Sequence, residues 1–338
     1  MIKVAIVHAA YVQPPDNFYD ADGVSEDKAL SLIYANIDKT LGMLCKAGEA
    51  GCDLAVTNED FADIGRHIRD VEHPGLFRRF VSLIEDDLFE KLHSIAAEYH
   101  MLISANEYEI YDEAVYNTTK LFGRDGICAG KYRKVHLPPG ERFQVKPGNT
   151  PLVLKTDIGN LGFVTCYDII FPEHSRALAL KGADMLILQT QGWGIGGKSS
   201  PETGEAFMRV RAAENSVYLI VAKNIYNEGG KSCIIDNYGN MVSSMASPAD
   251  NLFITEIEPD FEMNDPYHYD NYYAGVTSTK VRQLLGRVPS TYARLTEWMP
   301  DFNSERLKSE VLCTEEERTV RIQALNKMEQ KERNKYHW

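Results

Sequence analysis

The feature that most constrains this chain is a series of short apolar runs, each closed by turn residues: Val4–Val7, Leu54–Thr57, Met101–Ala105, Leu161–Cys166, Met185–Gln189 and Val217–Ala222. Runs of this length and composition predict buried β-strands. Between some of them the period changes. From Ala29 to Ala47, the residues Leu30, Ile33, Ile37, Leu41 and Leu44 fall close to one face of a helix. Phe89–Tyr99 and Phe207–Ser216 also read as helices. Strands alternating with helices predict an α/β protein whose helices pack on its sheets.

One piece of this grammar occurs twice. Ala47-Gly48-Glu49-Ala50-Gly51-Cys52-Asp53-Leu54-Ala55-Val56-Thr57 reads as a helix end, a glycine turn, an aspartate and then a strand. Leu180-Lys181-Gly182-Ala183-Asp184-Met185-Leu186-Ile187-Leu188-Gln189 repeats it. The glycine supplies the left-handed residue that ends the helix. The echo points to two related halves, each with its own sheet, and so to a layered sandwich.

With 338 residues, 44% hydrophobic and 25% charged, the chain can bury a substantial core, which argues against wholesale disorder. The net charge of −13 repels phosphate backbones and anionic lipid, so nucleic-acid and membrane partners are not expected. The opening MIKVAIVHAA lacks the length and flanks of a signal peptide, and no apolar run approaches ~18 residues. A cytoplasmic protein is expected. The six cysteines, at 45, 52, 128, 166, 233 and 313, form no CxxC pair and no metal spacing. Reduced thiols that mostly fill core space are expected. No proline- or serine-rich linker divides the chain. One domain is expected over residues 1–298, followed by a charge-dense extension over 299–338 that reads as one or two amphipathic helices.

Cys166 stands apart from the other thiols. It ends a strand, and Pro172 then suits the first turn of a helix. A strand-to-helix turn holds a nucleophile rigidly and aims the following N–H groups at the same space. A cysteine at a strand end is more often a packing residue, so position alone leaves its role open. A nucleophilic thiol needs a base and an electrostatic partner. His136 and His174 are candidates. So are Glu59, directly after the strand 54–57, and Lys134, in a stretch whose alternation puts Tyr132, Lys134 and His136 on one face.

Taken together, several blocks resemble the nitrilase superfamily of carbon–nitrogen hydrolases, with its Glu-Lys-Cys triad. Gly51-Cys52-Asp53-Leu54…Glu59 resembles the first-glutamate block, and Tyr132-Arg133-Lys134-Val135-His136-Leu137 the lysine block. Gly162…Cys166-Tyr167-Asp168…Phe171-Pro172-Glu173 resembles the cysteine block. Glu141-Arg142-Phe143…Pro147-Gly148 resembles the segment with a second active-site glutamate. The late helix (Arg209–Asn215), the hairpin turn at Gly239 and the tail Arg287…Tyr292 match as well. The ordered set, over about residues 1–298, carries the resemblance more than any single block. It implies a four-layer αββα sandwich that usually dimerises, with no metal or organic cofactor. It also implies Cys166 as nucleophile, Glu59 as base, Lys134 as oxyanion partner and Glu141 holding Lys134 or the substrate nitrogen. Departures are Asn58 where the family has proline, His8 where a glutamine often stands, and an apparent insertion from Gln13 to Asp27.

The implied substrate is a small amide or N-carbamoyl compound. Tyr167-Asp168 after the cysteine resembles amidase and carbamoylase members, whereas nitrilases more often carry tryptophan there. Phe61, Tyr116, Asn117, Tyr167, Gln191 and Trp193 are expected to line the pocket, with core packing the alternative for each. Three rival readings stand: a nitrilase acting on a nitrile, a nucleotide-binding protein, and a non-catalytic scaffold. The nucleotide rival rests on Gly192–Ser199, which satisfies G-x-x-x-x-G-K-[ST] after a strand. Against it, Pro201 and Gly204 are expected to interrupt the helix such a loop requires.

Overall fold

The computed structural model describes residues 1–12, 26–67, 74–138, 141–192, 200–224, 231–246, 250–264 and 278–296. Its strands form two six-stranded sheets. The first contains β1 (Ile2–His8), β2 (Leu54–Val56), β3 (Leu102–Tyr111), β4 (Ala114–Phe122), β5 (Cys128–Arg133) and β12 (Asn251–Ile257) in the order β12-β1-β2-β3-β4-β5. The second contains β6 (Val153–Thr156), β7 (Gly159–Thr165), β8 (Met185–Thr190), β9 (Tyr218–Lys223), β10 (Ser232–Ile235) and β11 (Met241–Met245) in the order β11-β10-β9-β8-β7-β6. In each sheet the three central strands run parallel: β1-β2-β3 and β7-β8-β9. Each half thus builds its own sheet, as the repeated grammar predicts, except that β12 returns to pair with β1 at the edge of the first. Gly51 (φ +70°) and Gly182 (φ +89°) hold the left-handed turns before β2 and β8.

Strand alternation sorts the core into layers. In β1, Val4 and Ile6 face the second sheet, while Ala5 and Val7 face the helices α1 (Glu26–Glu49) and α3 (Pro74–Tyr99), which the one-turn α2 (Ile64–His67) separates in the chain. In β8, Met185 and Ile187 face the first sheet, and Leu186 and Leu188 face α4 (Pro172–Leu180) and α5 (Pro201–Asn215). The order helix, sheet, sheet, helix is the αββα sandwich. Strands covered on both faces read as continuous apolar runs, which is why these were visible in the sequence.

The helix from Pro201 corrects one expectation. Pro201 does not interrupt the helix; it occupies the first turn, where its missing N–H has no partner to lose, and Ser200 caps it by accepting from Thr203 N–H. Gly204 lies inside α5, buried. Trp193, residues 193–199 of the glycine-rich loop, Tyr267–Tyr273 and the extension beyond 298 fall outside the described residues. Among the described residues, no helix is long and apolar enough to cross a membrane.

At one end the space between the sheets turns polar. The Gln189 amide, on β8, donates to the Thr57 carbonyl at 2.9 Å and the Ser104 carbonyl at 3.2 Å. Its oxygen accepts from the Thr119 hydroxyl at 2.8 Å. These are bonds from the second sheet to the first, made by fully buried groups. Gln189→Leu fills similar volume but strands those partners. It is expected to lower stability by at least about 2 kcal/mol in urea unfolding, since each orphaned buried group costs roughly 1–3 kcal/mol; no measurable loss would show that the seam contributes nothing.

Candidate active site

Three segments converge at that polar end. Glu59 follows β2, Lys134 follows β5, and Glu141 opens a short 3-10 turn over Glu141–Phe143. The Lys134 ammonium donates to Glu59 Oε1 at 2.8 Å and to Glu141 Oε2 at 2.7 Å. Asn117, on β4, donates to Glu59 Oε1 at 3.1 Å and to Glu141 Oε1 at 2.8 Å. Its own carbonyl accepts from Asn106 at 2.9 Å, which fixes the amide's orientation. The second Glu59 oxygen accepts the Gln191 N–H at 3.1 Å.

The backbone holds Lys134 as firmly as the side chains do. Its N–H donates to the Asn117 carbonyl, and its own carbonyl accepts from Gly148. A Cβ on Gly148 would lie 2.1 Å from the Arg133 carbonyl oxygen, so only glycine permits this approach. Burial disfavours the ammonium, but the Glu141 and Glu59 carboxylates outweigh it and hold the pKa well above the usual lysine value.

Cys166 sits at the end of β7, where the strand passes into a 3-10 turn over Cys166–Ile170 and then α4. Its φ of +45° is left-handed, a conformation costing a non-glycine residue about 1–2 kcal/mol. Its sulfur lies 3.8 Å from where a Cβ on Gly192 would stand, and it interacts with the Thr190 hydroxyl and the Gly192 N–H. Burial pushes the thiol up to about 11, and the Glu59 carboxylate adds to this; Lys134, Thr190 and Gly192 oppose it only in part. The resting thiol is therefore protonated, with a carboxylate and an ammonium acting on it electrostatically.

Asp168 stitches this turn to the lysine segment. Its two oxygens accept from Thr165 N–H (3.0 Å), Tyr132 Oη (2.6 Å), His136 N–H (2.8 Å) and His136 Nδ1 (2.8 Å). Burial alone would raise the carboxyl; the His136 hydrogen bond, the nearby His174 and the Tyr132 hydroxyl outweigh it and hold the carboxyl below its usual range. His174 Nε2 lies 3.1 Å from Tyr132 Oη and 3.2 Å from the Phe163 carbonyl. His136, Asp168 and His174 bring ligand-type atoms within 4.8 Å of one another, a spacing that could suit a metal ion. The hydrogen bonds just described already engage these atoms. Both histidines weighed as partners for the thiol are thus engaged with Asp168 and its neighbours.

Of the residues singled out in the sequence, the structure brings Glu59, Lys134, Glu141, Asn117, Cys166 and Gln191 to one place. Tyr167 is half-buried beside the cysteine, its ring edge-on to Phe171. Phe61 is not on that surface but in the core beneath α1 and α3. Tyr116 stands on the opposite face of β4 from Asn117, its ring against the Arg133 guanidinium, because adjacent strand residues point to opposite sides. Thr190 carries no sequence signal. Asp168, Tyr132 and His174 stand in or beside the blocks quoted above, but only the shared face of Tyr132, Lys134 and His136 hints that they meet.

Residues 8–262 match the family model described as Carbon-nitrogen hydrolase. The chain belongs to the carbon–nitrogen hydrolase family. It is 27% identical to the N-carbamoylputrescine amidase of Solanum tuberosum over 62% of this chain and 70% of that protein. It is 28% identical to a nitrilase of Pyrococcus abyssi over 75% of this chain and 90% of that protein. Among solved structures, the carbon–nitrogen hydrolase of Helicobacter pylori superposes with a TM-score of 0.65 at 22% identity, covering 88% of this chain and 98% of the other. Nit3 of Saccharomyces cerevisiae gives 0.59 at 20% identity, covering 82% and 96%. At these identities the superpositions show the shared fold.

Two measurements test the electrostatics. Lys134→Met leaves the buried Glu59 and the half-buried Glu141 carboxylates without their cation, and is expected to destabilise the chain by about 3–5 kcal/mol in urea unfolding. A loss under about 1 kcal/mol would contradict the ion cluster. Alkylation of Cys166 by iodoacetamide, followed by peptide mass spectrometry, should accelerate about tenfold per pH unit between about pH 7 and pH 9, because only the thiolate reacts. A rate already on a plateau near neutrality would contradict the raised thiol.

Proposed function

We propose that the chain hydrolyses a non-peptide C–N bond in a small amide or N-carbamoyl compound through a thioester on Cys166. The observation that supports this most is the Lys134 ammonium bonded to both Glu59 and Glu141, with electrostatic reach to the Cys166 sulfur. A thiol pushed up to about 11 does not ionise unaided at neutral pH. Glu59 takes its proton as the sulfur attacks the carbonyl carbon. The oxyanion that forms is stabilised by the Lys134 ammonium and the Tyr167 N–H, which lies in the first turn after the strand, where N–H groups have no intrahelical acceptor. Such donors contribute about 3–4 kcal/mol each.

The protonated Glu59 then gives its proton to the leaving nitrogen. The C–N bond breaks, ammonia or an amine departs, and the acyl group stays on sulfur. Water follows: Glu59 removes one proton, the hydroxide oxygen attacks the thioester, the C–S bond breaks, and the proton returns to sulfur. Glu141 and Asn117 keep Lys134 and Glu59 in register throughout. The resemblance of Tyr167-Asp168 to amidase and carbamoylase members supports amide and carbamoyl substrates over nitriles.

The direct test is ammonia release from a panel of amides, N-carbamoyl compounds and nitriles. Cys166→Ala should remove turnover while leaving the unfolding transition in place, and Glu59→Gln should lower kcat by about 10²–10⁴-fold. Appreciable hydrolysis by Cys166→Ala would sink the assignment, and a panel hydrolysed only at nitriles would replace the amide reading.

A further inference from the structure

An amide side chain has a direction, since one end only donates and the other only accepts. Beneath the proposed site that direction is set by Asn106, on β3. Asn106 is fully buried. Its side-chain oxygen accepts the Asp60 N–H at 2.9 Å. A backbone N–H can only donate, so the oxygen end of Asn106 has to face Asp60, the residue after Glu59. The nitrogen end then faces β4, where it donates to Asn117 Oδ1 at 2.9 Å and to Thr119 Oγ1 at 3.1 Å. Register makes both contacts. Asn106 stands opposite Thr119, and Asn117 is two residues along β4 on the same face.

Both bonds pass their sense onward. Asn117 meets Asn106 with its oxygen, so its nitrogen is turned to the carboxylates, donating to Glu59 at 3.1 Å and to Glu141 at 2.8 Å. Thr119 accepts from Asn106 and so directs its own proton to Gln189 Oε1 at 2.8 Å. One branch of this relay ends on the two carboxylates and the other on the bonds between the sheets. Turned over, Asn117 would set a carbonyl oxygen against Glu59 and Glu141 and offer the Lys134 ammonium a competing acceptor. Among the described residues, the hydrogen bonds of the Asn106 side chain go to Asp60, Asn117 and Thr119, so its influence on the carboxylates passes through these.

We propose that Asn106 is a positioning residue for the base: it fixes the sense of the Asn117 amide and, through it, the placing of Glu59 and Glu141 for proton transfer. This rests on the hydrolase reading with Glu59 as base.

The test is a double-mutant cycle on the full chain, with kcat and KM measured on the best substrate of the amide and N-carbamoyl panel. Asn106→Leu keeps the size of the side chain and removes both of its polar ends. It is expected to lower kcat by about tenfold or more, the scale that misplaced catalytic groups produce, with KM changed by less than about threefold. In the Asn117→Leu background the amide to be oriented is absent, and the same substitution should lower kcat by less than about threefold. An equal fall in both backgrounds overturns the proposal and makes Asn106 a prop for the Asp60 backbone alone. So does an unchanged kcat in Asn106→Leu itself. If Asn106→Leu does not fold, Asn106→Asp decides. The new side chain has the same shape and still accepts from the Asp60 N–H, but only its protonated form can donate to Asn117. Its kcat relative to wild type is expected to fall as the pH rises from about 6 to about 9, because ionisation removes the donor. A ratio near one throughout overturns the proposal. No ammonia from any amide, carbamoyl compound or nitrile overturns the hydrolase reading itself, and the positioning role falls with it.

Discussion

A buried ammonium held between a buried carboxylate and a half-buried one is the constraint around which this molecule is arranged. Lys134 is 2% exposed and Glu59 4% exposed. Removing such charges from water costs several kcal/mol each unless partners meet them with good geometry. The geometry here draws on separate pieces of chain: the end of β2, the end of β5, the turn at Glu141 and the middle of β4. None of the four can shift without leaving a charge uncompensated. The hairpin β3–β4 is long because it must bring Asn117 beneath both carboxylates. The loop after Glu141 returns along β5 because Gly148 binds the Lys134 carbonyl.

The same constraint explains what could be read from the sequence and what could not. The central strands β1, β2, β7, β8 and β9 are covered on both faces, so their apolar runs were plain. The hairpin β3–β4 was seen only at its start. Past Ala105 it carries Asn106, Glu107, Asn117, Thr118, Thr119 and Lys120, all buried, and no hydrophobicity pattern marks such residues as strand. Glu59, Lys134, Cys166 and Glu141 were legible as ordered blocks, and the structure brings them together. Tyr116 and Phe61 are expected at the pocket, and strand alternation and core packing put them elsewhere. Thr190 gave no signal, because a threonine closing a buried strand looks like any other strand residue until sheet register sets it level with Cys166.

Asp168 shows how a turn can be held in a strained shape. Cys166 keeps a left-handed φ because the carboxylate two residues on binds Thr165 before it and Tyr132 and His136 across from it. The two histidines act on the shape of the turn through that carboxylate. In the proposed reaction this leaves the proton chemistry to Glu59, whose second oxygen accepts the Gln191 N–H.

The Gln189 seam has a consequence for tolerance. Apolar contact sets the spacing of two sheets but leaves them free to slide, because it has no direction. Hydrogen bonds have direction, and here they occur at the end of the sandwich where Glu59 belongs to one sheet and Cys166 to the other. Alignment of Glu59 with Cys166 is thus a property of the joint between the two sheets, and neither sheet holds it alone. A displacement of about 1 Å between catalytic groups costs roughly 10²-fold in rate. The joint can therefore fail for catalysis long before it fails for folding, and the duplicated architecture stays useful only while its two copies remain in registration.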